Sequence, residues 1–195
     1  MKLYVVRHGQ SEANVEDRYA GWRAVSLTAL GRQQAEMARE NLAGVAFDRV
    51  YCSDLQRAKE TAAIVLPGST PIYTPALREI GVGKLDGLAI AACEKRYGQV
   101  YLDAERRQDF SAFGGETGEE MRQRIHGLLA EVEKLRNVEN VALIGHEGTV
   151  RETLNYVLGT VIPLEHIEIQ NASVSVFSLG EAGRKLLCWN YTGQI

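Results

Sequence analysis

Residues 3–14 read LYVVRHGQSEAN, and the way this stretch is understood decides the fold. Leu3 to Val6 form a short apolar run suited to a buried strand, and Arg7, His8 and Gly9 end it abruptly. On its own, a cation beside an imidazole at a strand tip reads as a polar loop. The arrangement recurs, however: the apolar run Arg49–Cys52 is followed by Arg57, and Val141–Ile144 by His146 in ALIGHEG.

Each of these strand candidates (the first taken as Lys2–Val6) leads into a helical pattern. Thr28 to Leu42 places Ala35, Ala38 and Leu42 on one face. Ser53 and Gln56 have capping-box spacing, which predicts a helix from Ser53 with Arg57 in its first turn or just beyond. Thr117 and Glu120 repeat that spacing ahead of Met121, Ile125, Leu128, Val132 and Leu135. A last helix carries Val150, Leu154 and Leu158 and stops at Gly159. Ala172–Leu179 and Arg184–Tyr191, separated by Gly-Glu-Ala-Gly, read as a hairpin that extends the sheet. The rhythm predicts an α/β fold in three layers, a mostly parallel central sheet with helices on both faces.

In such a sheet ligands bind beyond the carboxyl ends of the strands, where helix N-termini present backbone N–H groups. His8, Arg57 and His146 converge there, so the expected ligand is an anion. The chain is acidic overall, with a net charge of −3. A unit pair at about 4 Å is nevertheless worth about 4 kcal/mol at an effective dielectric of about 20, and remote charges are screened over about 8 Å in physiological salt. Two local arginines therefore outweigh the diffuse negative charge, and their planar forks suit phosphate oxygens better than lysine does.

Composition bounds the rest. At 195 residues, 45% hydrophobic and 24% charged, the chain suits one buried core, expected as a single domain over 1–195. Arg7 breaks the only start for a secretory segment, and no apolar run is long enough to cross a bilayer. Cys52, Cys93 and Cys188 are odd in number and lack C-x-x-C spacing, so reduced thiols in a cytoplasmic protein are expected. No basic run or aromatic-basic stripe points to nucleic acid.

Several blocks then resemble one family. RHGQSEAN matches R-H-G-x-S-x-x-N, SLTALGRQQA resembles L-T-x-x-G-x-x-Q-A, and YCSDLQRAKETA resembles S-x-L-x-R-A-x-x-T-A. LREIGVGKLDGL, FGGETGEEMRQRI and ALIGHEGTVR follow in family order. The chain resembles the histidine phosphatase superfamily, which includes cofactor-dependent phosphoglycerate mutases and small phosphatases. The resemblance spans residues 4 to about 151 and implies a phosphoglycerate mutase-like fold, with a cap-like insert at about 85–115. It makes His8 the nucleophile that becomes a phosphohistidine, Arg7, Arg57 and His146 the holders of the phosphoryl oxygens, and Glu79 the proton carrier. For attack His8 must be neutral with a bare Nε2, so its Nδ1–H is expected on a backbone carbonyl. Asn14 serves as a ligand contact or a turn residue, and Gln10 and Ser11 bond either the ligand or the loop. Arg151 is expected in a structural ion pair.

No cofactor and no metal are implied, because the positive clamp supplies the charge that Mg²⁺ supplies elsewhere. Other phosphate chemistries lack their patterns. Cys52 and Arg57 are spaced C-x4-R, one residue short of the cysteine phosphatase loop, and there is no P-loop or H-E-x-x-H. GVGK at Gly81–Lys84 is expected to be a turn.

The expected function is hydrolysis of a small phosphomonoester by a monomer or homodimer, without nucleic acid or membrane partners. The short span from 80 to 113 favours hydrolysis over mutase transfer, although Arg106-Arg107 and Gly21-Trp22 echo mutase segments. Tyr97, Tyr101, Phe110 and Phe113 are candidate pocket walls. A non-catalytic phospho-ligand binder is the remaining alternative, and it would need neither His8 nor Glu79. Glu147 departs from the small residue usual after the second histidine, and its charge is expected to disfavour multiply anionic substrates.

Overall fold

Strand β1 (Lys2–Arg7) lies inside a six-stranded sheet, parallel to β4 (Asn140–Gly145) on one side and antiparallel to β5 (Val174–Ser178) on the other. Beyond β4 come β2 (Arg49–Ser53) and then β3 (Ile72–Thr74), both parallel, while β6 (Lys185–Tyr191) closes the far edge antiparallel to β5. The spatial order is β3-β2-β4-β1-β5-β6. These relations come from a computed structural model that describes residues 1–163, 166–180 and 183–193.

The central strands read as continuous apolar runs because both of their faces are covered. Alternate side chains divide between two cores, as a two-residue period requires. Leu3, Val5, Val141 and Leu143 meet Met121, Ile125 and Leu129 of α6 (Gly118–Glu133) and Val150 and Leu154 of α7 (Glu147–Leu158). Val6, Ala142 and Ile144 face the small residues Ala35 and Ala38 of α2 (Ala29–Asn41) and Ala58 and Ala62 of α3 (Gln56–Val65). The expected three-layer α/β fold is the observed one.

Thr117 caps α6 as expected, its hydroxyl accepting from the Glu120 N–H while the Glu120 carboxylate accepts from the Thr117 N–H. Ser53 does not act this way: it ends β2, and α3 begins at Gln56 behind Leu55. The Ser53 hydroxyl is instead engaged with His146, and Gln56 turns to Ser26 and Glu60. Arg57 still falls in the first turn. Leu129 takes the place expected of Leu128 beside the buried Met121 and Ile125 of α6, and Val157 rather than Leu158 is buried at the end of α7. Gly159 stops that helix in the left-handed region, at φ 67°. The hairpin extends the sheet as expected; Glu181 and Ala182 of its connection lie outside the described residues.

Four elements went unread in the sequence: the one-turn helix α1 (Glu12–Val15), β3, α4 (Ile90–Tyr97) and α5 (Gln99–Arg107). The last two meet at Gly98, whose φ of 54° allows the chain to change direction there. GVGK becomes a short 3-10 turn over Gly83–Leu85.

Two glycines fix the loop after β1 against the start of α2. A Cβ on Gly9 would collide with the Gly31 carbonyl, and one on Gly31 with that of Gln10. Gly31→Ala is therefore expected to cost about 1–3 kcal/mol through overpacking and to lower activity by shifting the segment after His8. Gly127→Ala, in open space within α6, should instead add up to about 1 kcal/mol. Urea unfolding of both variants measures the contrast.

Candidate active site

Strand register brings the two histidines together. Arg7 pairs with Gly145 and Cys52 with Ile144, so His8, His146 and Ser53 emerge side by side from three parallel strands. Neighbouring strands run about 4.8 Å apart, and the imidazole centroids of His8 and His146 lie 5.1 Å apart at 64°. The His8 N–H extends the ladder to the Gly145 carbonyl at 2.9 Å.

His8 Nδ1 lies 2.7 Å from the Gly9 carbonyl oxygen, which fixes the tautomer with Nδ1 protonated and Nε2 bare. Arg57 Nε donates to that Nε2 at 3.3 Å. Arg57 is itself 2% exposed, and its Nη2 donates to the carbonyls of Ala20 at 2.7 Å and Gly21 at 3.0 Å. The loop bearing these carbonyls is pinned by Asp86, whose carboxylate accepts from the N–H groups of Gly21, Trp22 and Arg23. Burial lowers the Arg57 pKa to about 10, still well above neutrality.

Arg7 reaches the same space from β1. One Nη donates to the Ile169 carbonyl and the other lies 3.0 Å from a Glu147 carboxylate oxygen. Its Nε, like His146 Nδ1, is buried without a hydrogen-bond partner among the described residues. His146 Nε2 lies 2.8 Å from Ser53 Oγ. Two unsatisfied buried groups of this kind call for a ligand or ordered water.

Both imidazoles are held well below the ordinary histidine pKa, first by burial and then by Arg57. His146 is thus a neutral ring at rest, not a standing positive charge. His8 is held neutral in the same way. Cys52 is a poor nucleophile: burial pushes its thiol up to about 12, and it donates to the Ser53 carbonyl.

Glu79 stands at the boundary between this cluster and a cavity of about 350 Å³. Its two carboxylate oxygens accept from the N–H groups of Ile80 at 2.9 Å and Gly148 at 3.2 Å. It does not pair with Arg78, which is held by Asp54 in a bidentate ion pair and stacks on Trp22. The histidines do not line the cavity, but Ala20 and Gly21, which bind Arg57, and Glu147, which binds Arg7, do. Of the four expected wall aromatics, Phe110 lines it; Tyr97 and Phe113 pack edge-to-face on each other, and Tyr101 hydrogen-bonds Tyr19.

Tyr19, Glu105 and Asp86 went unnoticed in the sequence, where Ser53 reads only as a helix cap. Gln10, Ser11 and Asn14 take up loop bonds: Asn14 Oδ1 accepts from both the N–H and the hydroxyl of Ser11, and Gln10 Oε1 accepts from Thr28. Arg151 pairs with Glu152 as expected.

A sequence model of the histidine phosphatase superfamily (branch 1) matches residues 3–192, and the chain belongs to that family. The broad-specificity phosphatase YOR283W of Saccharomyces cerevisiae is 32% identical over 186 residues, 90% of this chain and 78% of that protein. A 2,3-bisphosphoglycerate-dependent phosphoglycerate mutase of Cytophaga hutchinsonii is 36% identical over 184 residues, covering 90% and 86%. The crystal structure of the alpha-ribazole phosphatase from Shigella flexneri superimposes with a TM-score of 0.89 at 25% identity, covering 98% of this chain and 97% of that one. The general mechanism of this superfamily proceeds through a phosphohistidine.

Because His8 and His146 are depressed in the folded state, the unfolded chain binds protons that the folded one refuses. Their contribution to stability is complete above the unfolded value of about 6.5 and declines as pH falls below it. Urea unfolding between about pH 8 and 5 should show this decline, and a His8→Asn, His146→Asn double variant should show a shallower one.

Proposed function

We propose that this chain hydrolyses a small phosphomonoester, with His8 as nucleophile, Arg7, Arg57 and His146 as the phosphoryl clamp, and Glu79 as the proton carrier. The observation that carries the assignment is the His8 tautomer, fixed by Gly9, with its bare Nε2 beside the buried Arg57. A phosphoryl oxygen entering the cluster takes over the Arg57 Nε–H, which frees the Nε2 lone pair for in-line attack on phosphorus. The phosphate monoanion hands its proton to Glu79 on binding, and as the P–O ester bond breaks Glu79 gives that proton to the leaving alkoxide. Water then attacks the phosphohistidine, Glu79 takes back a proton, and inorganic phosphate and neutral His8 result. Charge spread over the equatorial oxygens is met by guanidinium and imidazole N–H groups fixed before the reaction. Gln10, Ser11 and Asn14 hold the loop that bears His8.

Residues 85–115 act as a cap on a single domain, with Glu105, Gln108 and Phe110 facing the substrate. A cavity of about 350 Å³ fits a small alcohol. Hydrolysis is favoured over mutase transfer because Arg106 and Arg107 are exposed and do not line the cavity, and Arg106 pairs with Asp103. Among the described residues no helix is long and apolar enough to cross a membrane. Three free cysteines suit a reducing cytoplasm.

Arg57→Ala should lose on the order of 10²–10³ in kcat, whereas His8→Ala should lose the covalent route altogether; steady-state rates of phosphate release compare the two. Activity should persist in EDTA, and rescue by a divalent ion would contradict the clamp.

Rapid-quench labelling tests the intermediate. Glu79→Gln should form a phosphohistidine from an aryl phosphate, whose leaving group needs little proton donation, and then stall. The label should map to His8 and be acid-labile. Label on Cys52 or a serine would reject the mechanism, and transfer to a second alcohol in place of phosphate release would favour the mutase reading.

A further inference from the structure

Glu147 is the first residue of α7, directly after His146, and its carboxylate is the ion-pair partner of Arg7 at 3.0 Å. The arginine side chain is 14% exposed, while the glutamate side chain is 42% exposed and lines the cavity with Glu79 and Glu105. Two cations also line that space, Arg18 and Arg151. Both have partners outside it: Arg18 binds Glu16 at 2.8 Å, and Arg151 binds Glu152 at 3.3 Å. Glu79 rests on two backbone N–H groups and Glu105 accepts from the Tyr19 hydroxyl. The clamp end of the site is therefore positive and the cavity beside it negative.

Glu147 differs from the other two carboxylates because its counterion belongs to the clamp. A phosphoryl group that engages Arg7 takes that counterion away. Burial already raises the pKa of Glu147, Arg7 opposes the rise, Glu79 adds to it, and Arg151, itself held by Glu152, opposes it less than Arg7 does, so the loss of Arg7 removes the larger of the two compensating charges. A positive group on the departing alcohol restores the balance. A carboxylate or second phosphate there worsens it.

We propose that Glu147 is a specificity-determining residue that selects phosphomonoesters whose alcohol carries an ammonium group near the ester oxygen, and rejects those carrying a second anion. The proposal rests on the reading of Arg7 as a phosphoryl ligand and names the substrate class of that same site.

The test compares phosphoethanolamine, propyl phosphate and phosphoglycolate, whose alcohols bear a positive, no and a negative charge. Their affinities are measured by calorimetry at about pH 8 in the non-hydrolysing His8→Ala protein, with and without Glu147→Gln. With Glu147 present, binding should weaken in that order. Glu147→Gln should weaken phosphoethanolamine about tenfold and tighten phosphoglycolate about tenfold, as expected for one half-exposed charge, with propyl phosphate tightened slightly as Arg7 is freed. A uniform shift across the three, or the reverse order with Glu147 present, overturns the proposal. Glu147→Asp retains the charge and should retain the order, so it serves even if the glutamine variant fails to fold. Wild-type phosphate release from propyl phosphate and an aryl phosphate is measured separately. If neither is hydrolysed while the charge order holds, the phosphatase reading fails and the role of Glu147 stands.

Discussion

The parallel register of β1 on β4 is the constraint on which the site depends. Because Arg7 lies opposite Gly145, the residues that follow them are both histidines, one strand spacing apart. A slip of one residue would turn the side chains of β1 over and exchange Leu3 and Val5 with Tyr4 and Val6 between the two cores. Neither core tolerates that exchange. The face under α6 and α7 holds large side chains such as Met121, Ile125 and Leu129, whereas that under α2 and α3 is lined by alanines. Hydrophobic packing thus sets the position of the polar site to within one residue.

The same burial sets the charge state. Two imidazoles and a guanidinium share a nearly dry space, and the cheapest arrangement keeps both rings neutral and places the positive charge on arginine, which resists deprotonation most strongly. Arg57 stays charged because the carboxylates of Glu79 and Asp86 oppose the effect of burial, while backbone carbonyls on a loop pinned by Asp86 accept its N–H groups. A chain of net negative charge can hold an anion in this way, since the clamp acts over a few ångströms and the remaining charges are screened.

How much of this was legible depended on whether the cause was local. The Thr117 and Ser53 capping signals look alike in sequence; Thr117 caps a helix and Ser53 does not, because only Ser53 lies beside a histidine from a distant strand. His8, Arg57 and His146 were legible because each follows an apolar run and strand ends share one sheet edge. Tyr19, Glu105 and Asp86 were not, since their roles arise from loops folded against one another, where no periodicity operates. β3 was missed for want of length: three residues after Pro71 carry no pattern. The aromatics of 97–113 were read as walls because composition cannot tell a ring facing a cavity from one packed edge-to-face on its neighbour.

The resting contact between Arg7 and Glu147 adds a further step to this logic. An unliganded clamp holds like charges near one another, and the Glu147 carboxylate offsets that repulsion at Arg7, although burial raises its own pKa. On the proposed reading of Arg7 as a phosphoryl ligand, it also makes binding an exchange: the phosphoryl group would replace Glu147 at Arg7, and the net electrostatic gain would be the difference between two ion pairs. Affinity for phosphate alone would thereby be reduced, which would favour release of the inorganic product. What the displaced carboxylate then met would depend on the alcohol, so on this reading one side chain links product release at the clamp to selection in the cavity.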